Sequence, residues 1–239
     1  MATLSAPHHG GQAAQRVQLA LIAVLVLALA AIGVALLVHR GGPPGSGVQG
    51  SGVAATQARA VPSFSSIDLA GSHNVAVFVG APQSVVVHAD SNLLGNVTTR
   101  VVAGTLVLGN TGSFTTKSPM GVVINVPSLA AVTLSGNGDM LVNGINAPRL
   151  TVTISGNGVL YASGTATRLD VTLGGSGEAQ LNQLVARDVH AVVSGSGVIE
   201  VTATTSLDAA IPGAGAIIYS GNPQRVTSSV TGTGAVTRG

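Results

Sequence analysis

The sequence predicts an all-β protein built as a parallel β-helix or β-roll of coils about 19 residues long, preceded by one N-terminal transmembrane helix. Three observations lead there. A Gly-x-Gly step begins at Gly136, Gly156, Gly175, Gly195, Gly213 and Gly232, at spacings of 20, 19, 20, 18 and 19. Apolar residues alternate with period two on both sides of these steps, the mark of strands with one buried face. Leu19 to Val38 is a run of 20 uncharged apolar residues, enough for a helix to cross roughly 30 Å of hydrocarbon.

Residues 1–18 form a short tail ahead of that run. The span 19–38 passes through Ala28-Leu29-Ala30, a small-x-small pattern of the kind cleaved after signal peptides, but stays apolar to Val38, which favours an uncleaved anchor. Arg16 flanks one side and His39 and Arg40 the other, so basic residues do not choose the orientation. Residues 39–60 are rich in Gly, Pro and Ser and read as a flexible linker. The Gly45-x-Gly47-x-x-Gly50 within it lacks the preceding strand and following helix that a dinucleotide site needs.

Residues 61–128 are strand-like but irregular, as in Val75-Ala-Val77, Val85-Val-Val87 and Leu106-Val-Leu108, and read as first coils that cap the column. An independent β-sandwich in this half is the alternative. From 129 to 239 the repeat is regular. Two, four and six positions before each first glycine the residues are apolar with few exceptions, as in Leu150/Val152/Ile154 and Leu169/Val171/Leu173. Apolar alternation resumes after the step, as in Met140/Val142 and Leu160/Ala162, so each unit holds two short strands. The corner glycines Gly136, Gly138, Gly156, Gly158, Gly175, Gly177, Gly195, Gly197, Gly213, Gly215, Gly232 and Gly234 allow positive φ or close backbone approach. A second corner carries Gly144, Gly164, Asn182 or Gly221. Units this short cannot bury their own apolar face, so they must stack.

The succession Phe64-Ser-Ser-Ile67, Val75-Ala-Val77, Asp90-Ser-Asn-Leu93-Leu94, Thr105-Leu106-Val107-Leu108 and Ile124-Asn-Val126-Pro127, followed by Ser135-Gly-Asn-Gly138 and its repeats, resembles the putative auto-transporter adhesin head GIN domain family of bacterial envelope proteins. The resemblance covers roughly residues 62–238. It implies a right-handed parallel β-helix, export from the cytoplasm, trimeric assembly and a role in adhesion without catalytic residues. It also supports placing the β domain outside the bacterial cytoplasmic membrane, on the periplasmic or extracellular side, and the single span read from the apolar run Leu19 to Val38 is a departure from the family pattern. The sequence departs from the pattern at Gly174-Gly175, Pro212-Gly213 and Thr231-Gly232, where Ser-Gly is replaced.

Composition excludes several function classes. The net charge of +2 comes from Arg16, Arg40 and Arg59, and residues 61–239 carry seven basic and eight acidic side chains. No basic stripe is left for nucleic acid. Cysteine is absent, which removes disulfides, thiolate metal sites and a cysteine nucleophile. The nonapeptide-like start at Gly174-Gly175-Ser176-Gly177-Glu178 would need an acid where Ala179 stands, so no calcium site is expected. No cofactor or metal is expected elsewhere.

Stacking turns intervals of one coil into neighbours, so candidate sites are columns. Asp170, His190 and Asp208 form a ladder on the outward face, which could orient a base but lacks a nucleophile and a second histidine, and reads as structural. Arg149, Arg168 and Arg187, spaced by 19, and Arg225 form a second column, able to meet an anionic glycan or an acidic partner, or to guard an edge by pairing with Asp170 or Asp188. Tyr161 is the aromatic whose phase points outward, as a sugar platform requires, whereas Tyr219 points inward. The favoured function is a non-catalytic, membrane-tethered envelope or surface module acting in adhesion, by self-association or by binding an envelope protein or glycan. The alternative is a β-helix enzyme acting on a polysaccharide or acyl group.

Overall fold

Alternating side chains dictate strands, and in the computed structural model, which describes residues 47–239, strands dominate. The tail, the expected span Leu19–Val38 and the first part of the expected linker lie outside the described residues. Among the described residues no helix is long and apolar enough to cross a membrane. The chain forms a β-solenoid of about five turns.

The regular part contains β10 (Ala131–Leu134), β11 (Met140–Ile154), β12 (Val159–Leu173), β13 (Glu178–Val193), β14 (Val198–Ile211), β15 (Ala216–Ser220), β16 (Arg225–Val230) and β17 (Ala235–Arg238). Each coil pairs in parallel with the next, residue on equivalent residue. One inward column runs Leu150, Leu169, Val189, Leu207, Val226, and another runs Met140, Leu160, Ala179, Ile199, Ile217, Val236. A third, Val132, Val152, Val171, Ala191, Ala209, Ser228, thins from valine to serine along the stack. In β11 to β14 the second corner does not interrupt the strand as the sequence suggests. Gly144 and Gly164, with φ of 80° and 130°, bend β11 and β12, where pairing resumes after a register shift, whereas Gly221, with φ of 90°, falls in the break between β15 and β16.

The Gly-x-Gly corners work differently: none of their glycines has positive φ. They are glycines because the coils touch there. A Cβ on Gly156 would strike the carbonyl oxygen of Gly136, and one on Gly195 that of Gly175. Across the same corners Ser196 N donates to Gly175 O at 3.2 Å and Ala214 N to Gly195 O at 2.9 Å. The repeat therefore encodes a hydrogen-bonded column of backbone that leaves no room for side chains.

The irregular half starts the column, but not in chain order. β3 (Ser66–Leu69) and β4 (Asn74–Val79) lie against β10 and β11. The preceding layer comes from later sequence, β7 (Thr105–Asn110) under β3 and β9 (Gly121–Val126) under β4, both parallel. Antiparallel β5 (Ser84–Asp90) and β6 (Val97–Val102) then close β9 and β7. One face is nine strands deep, roughly 40 Å at about 4.8 Å per strand. A single buried core runs from Phe64 to Ile217, so no separate sandwich forms.

The expected linker 39–60 is corrected over its described part. β1 (Val48–Gln49) pairs in parallel with β8 (Phe114–Thr115), and β2 (Ala54–Ala58) pairs antiparallel with β5. These strands are mostly exposed and hold by backbone pairing rather than by an apolar face, so their composition gave no strand signal.

Candidate functional site

Parallel stacking brings the predicted ladder together: Asp170, His190 and Asp208 are in register on β12, β13 and β14. His190 Nδ1 lies 3.1 Å from Asp208 Oδ2, with the imidazole 43% exposed and the carboxylate 63%. Asp170 is engaged elsewhere, accepting from Arg168 Nε at 3.0 Å with Arg149 Nε at 3.8 Å. The ladder thus lies on an open face, with Asp170 engaged by arginines and Asp208 by the His190 ring. Among the described residues no three His, Cys, Asp or Glu side chains gather as a metal-binding group. Exposed pairs of this kind contribute about 0–1 kcal/mol. His190→Gln should therefore leave the unfolding midpoint in urea and the metal content unchanged. A fall in stability above about 1 kcal/mol, or stoichiometric metal lost with the imidazole, would contradict this.

The arginine column forms only in part. Arg149 and Arg168 are partners, but Arg168 faces Asp188, which faces Ser206, which faces Arg225. Arg187 is displaced by one position because that coil is 20 residues long, a count that a constant step of 19 misses. Arg187 Nε instead reaches Asp188 Oδ2 at 3.7 Å. Arg149, Arg168 and Arg187 keep 64%, 50% and 65% of their side-chain surface open.

Tyr161 lies on β12 between Leu141 and Gln180, half-buried. Burial pushes its phenol pKa up, and the nearby charges of Asp139 and Glu178 add to that. The row continues through Leu141, Ala76, Val123 and Val86, crossing five strands on the outward side of the sheet. Ala76 and Val123 are buried despite their outward phase. The signal was present in Val75-Ala-Val77 and Val122-Val-Ile124, unbroken apolar runs that mark strands covered on both faces.

Two buried polar groups escaped sequence reading. Asp90, fully shielded from solvent, accepts at Oδ1 from Gly52 N and Ser118 Oγ, both 2.8 Å, and at Oδ2 from Lys117 N at 2.8 Å and Ser118 N at 3.2 Å. These bonds, that from Lys117 N–H above all, outweigh desolvation and hold its carboxyl below the usual range. Beside it Asn92 accepts from Ser51 N and donates to Gln49 O, both at 2.8 Å. The pair fastens residues 49–52 to the base of the column. His73 stands where later coils have the second glycine, with Nδ1 2.9 Å from Asn110 Oδ1, and burial lowers its pKa.

With the geometry in place, comparisons give the relatives. The model of the family described as putative auto-transporter adhesin, head GIN domain, matches residues 63–223. A solved putative adhesin from Bacteroides fragilis is similar at a TM-score of 0.68 and 23% identity, covering 80% of this chain and 100% of its own. A putative lipid binding protein and a putative adhesin from Parabacteroides distasonis each give a TM-score of 0.51 at 22% identity. They cover 80% and 81% of this chain and 99% and 100% of their own. At these identities the likeness is one of fold. No curated protein matches the chain.

Proposed function

The chain belongs to the putative auto-transporter adhesin, head GIN domain family, and from that premise we propose that it is a non-catalytic, membrane-tethered envelope module that presents a rigid β-column for adhesion. In this reading Leu19–Val38 crosses the cytoplasmic membrane once and the column stands on the periplasmic or extracellular side. The coil is right-handed, the usual hand for parallel crossovers.

The observation that carries the proposal is the outward face built by β10 to β14. Its side chains are mostly short, as in Thr133, Thr151, Thr153, Thr172 and Ala210. On the side formed by β10 and the C-terminal halves of β11 to β14 there is no lysine or glutamate, and Arg149, Arg168, Asp170, Asp188 and Asp208 there are engaged by neighbouring side chains of the same face. Such a face docks with little loss of rotamer entropy. An enzyme would need acids, bases and a nucleophile converging in a cleft. The Asp170, His190 and Asp208 ladder lies instead on an open face, with the His190 and Asp208 side chains 43% and 63% exposed.

Attachment of cells carrying the full chain, compared with cells in which residues 47–239 are deleted, tests the proposal. Attachment to a surface or to other cells should be lost on deletion and should survive His190→Gln. Unchanged attachment together with a hydrolytic activity abolished by His190→Gln would put the enzyme reading first.

A further inference from the structure

Among the described residues edge strands finish the column at both ends, a closed end where they turn back antiparallel and an open end where they do not. At the closed end β5 and β6 turn antiparallel, β2 covers β5, and the exposed Arg100 sits on β6. At the other end β16 pairs with β14 and β17 with β15, and among the described residues no strand pairs with their far sides. All six residues of β16 are exposed. Val226 and Val230 continue the inward columns of Leu207 and Ile211, which are buried, yet each keeps 43% of its surface open. Within Arg225–Val230 the outward Arg225 is the one charge, at the strand's start, and there is no lysine, no proline and no inward charge to guard the edge beyond it.

We propose that this tip docks a second copy of the chain, β16 pairing antiparallel with the β16 of the other molecule about a two-fold axis at Ser228. The inference rests on the adhesive reading for its biological use and names the partner. Three features select a second copy. Val226-Thr-Ser-Ser-Val230 is palindromic in chemistry, so pairing centred on Ser228 sets each Val226 against Val230 of the other copy. The inward apolar phases then coincide, and Thr227 and Ser229 stay on the outward side. In that register Arg225 falls opposite Thr231 and away from its own counterpart, so no like charges meet. The unpaired N–H and C=O groups of a strand edge are satisfied by another strand.

The orientation gives the contact its use. The described chain begins at the closed end, where Val48 and Gln49 pair with Phe114 and Thr115. A two-fold at the tip therefore places the two closed ends at opposite poles, on the order of 80 Å apart. This joins copies held on facing surfaces rather than neighbours on one surface. One coil edge buries less than the roughly 800 Å² per partner of a standard interface, so each contact is weak and adhesion comes from many contacts in parallel.

The chain has no cysteine, so Ser228→Cys gives a single thiol at the axis. Under mild oxidation the full-length Ser228→Cys protein should form a covalent dimer at least about tenfold faster than Thr151→Cys, whose thiol lies on the side of the column. In sedimentation the wild type should dimerise with concentration, and Val226→Lys with Val230→Lys should leave a folded monomer. Equal cross-linking of the two thiols, a monomeric wild type, or a dimer that survives both lysines overturns tip pairing. The attachment assay on the deletion is read separately, so loss of attachment there with no tip dimer would keep the adhesive reading and move the contact elsewhere.

Discussion

Gly195→Val should strongly destabilise the native column, whereas Thr153→Val should leave it intact. A Cβ at position 195 would fall on the carbonyl oxygen of Gly175 and 2.6 Å from that of Gly174. Both belong to backbone fixed by pairing with the coils on either side, so the contact cannot relax by moving a side chain. Overpacking costs about 1–3 kcal/mol and more where the neighbours are rigid backbone, a large share of a typical folding stability. Thr153 points outward on a strand, where a β-branched isostere changes stability by about 0.5 kcal/mol or less. Urea unfolding of the two variants measures the difference. Equal midpoints would mean that the coils do not touch at the Gly-x-Gly corners.

Asp90→Ala should open the base of the column while leaving the regular coils folded. The substitution leaves the N–H groups of Gly52, Lys117 and Ser118 without their acceptor in a site closed to water. Residues 49–58 should then become cleavable by protease and lose hydrogen-exchange protection. The same carboxylate gives a pH dependence of definite sign. Its folded pKa lies below its unfolded value, so its stabilisation is fully present above about pH 4 and is lost as pH falls through the folded pKa. Asp90→Asn should remove most of that acid sensitivity at the base. Protection of residues 49–58 in Asp90→Ala equal to that of the wild type would contradict the clamp.

These cases show what the sequence could reveal. Period-two alternation and the 19-residue step were enough for the strands, the stacking and the columns, because in a parallel solenoid register follows from repeat length. Counting back five positions from each Gly-x-Gly step placed Asp170, His190 and Asp208 correctly, although their intervals are 20 and 18. A constant step of 19 misplaced Arg187, since one extra residue in a coil shifts everything before the next corner. The reversed spatial order of β3 and β7, and the docking of β1 and β2, rest on long-range backbone pairing and on one buried carboxylate. Neither leaves a periodic trace. The reason for the corner glycines was also open: positive φ and close approach both call for glycine, and only the distance between coils distinguishes them.

Aggregation of beads tests the account most directly. Full-length protein is coupled through an added N-terminal cysteine, the only thiol, so that Arg225–Val230 is not used in the coupling. Beads carrying the wild type should aggregate with one another, and beads carrying Val226→Lys with Val230→Lys should stay dispersed while keeping the same far-ultraviolet circular dichroism. Aggregation that is absent from the wild type, or undiminished in the double variant, would contradict a column that adheres through its tip.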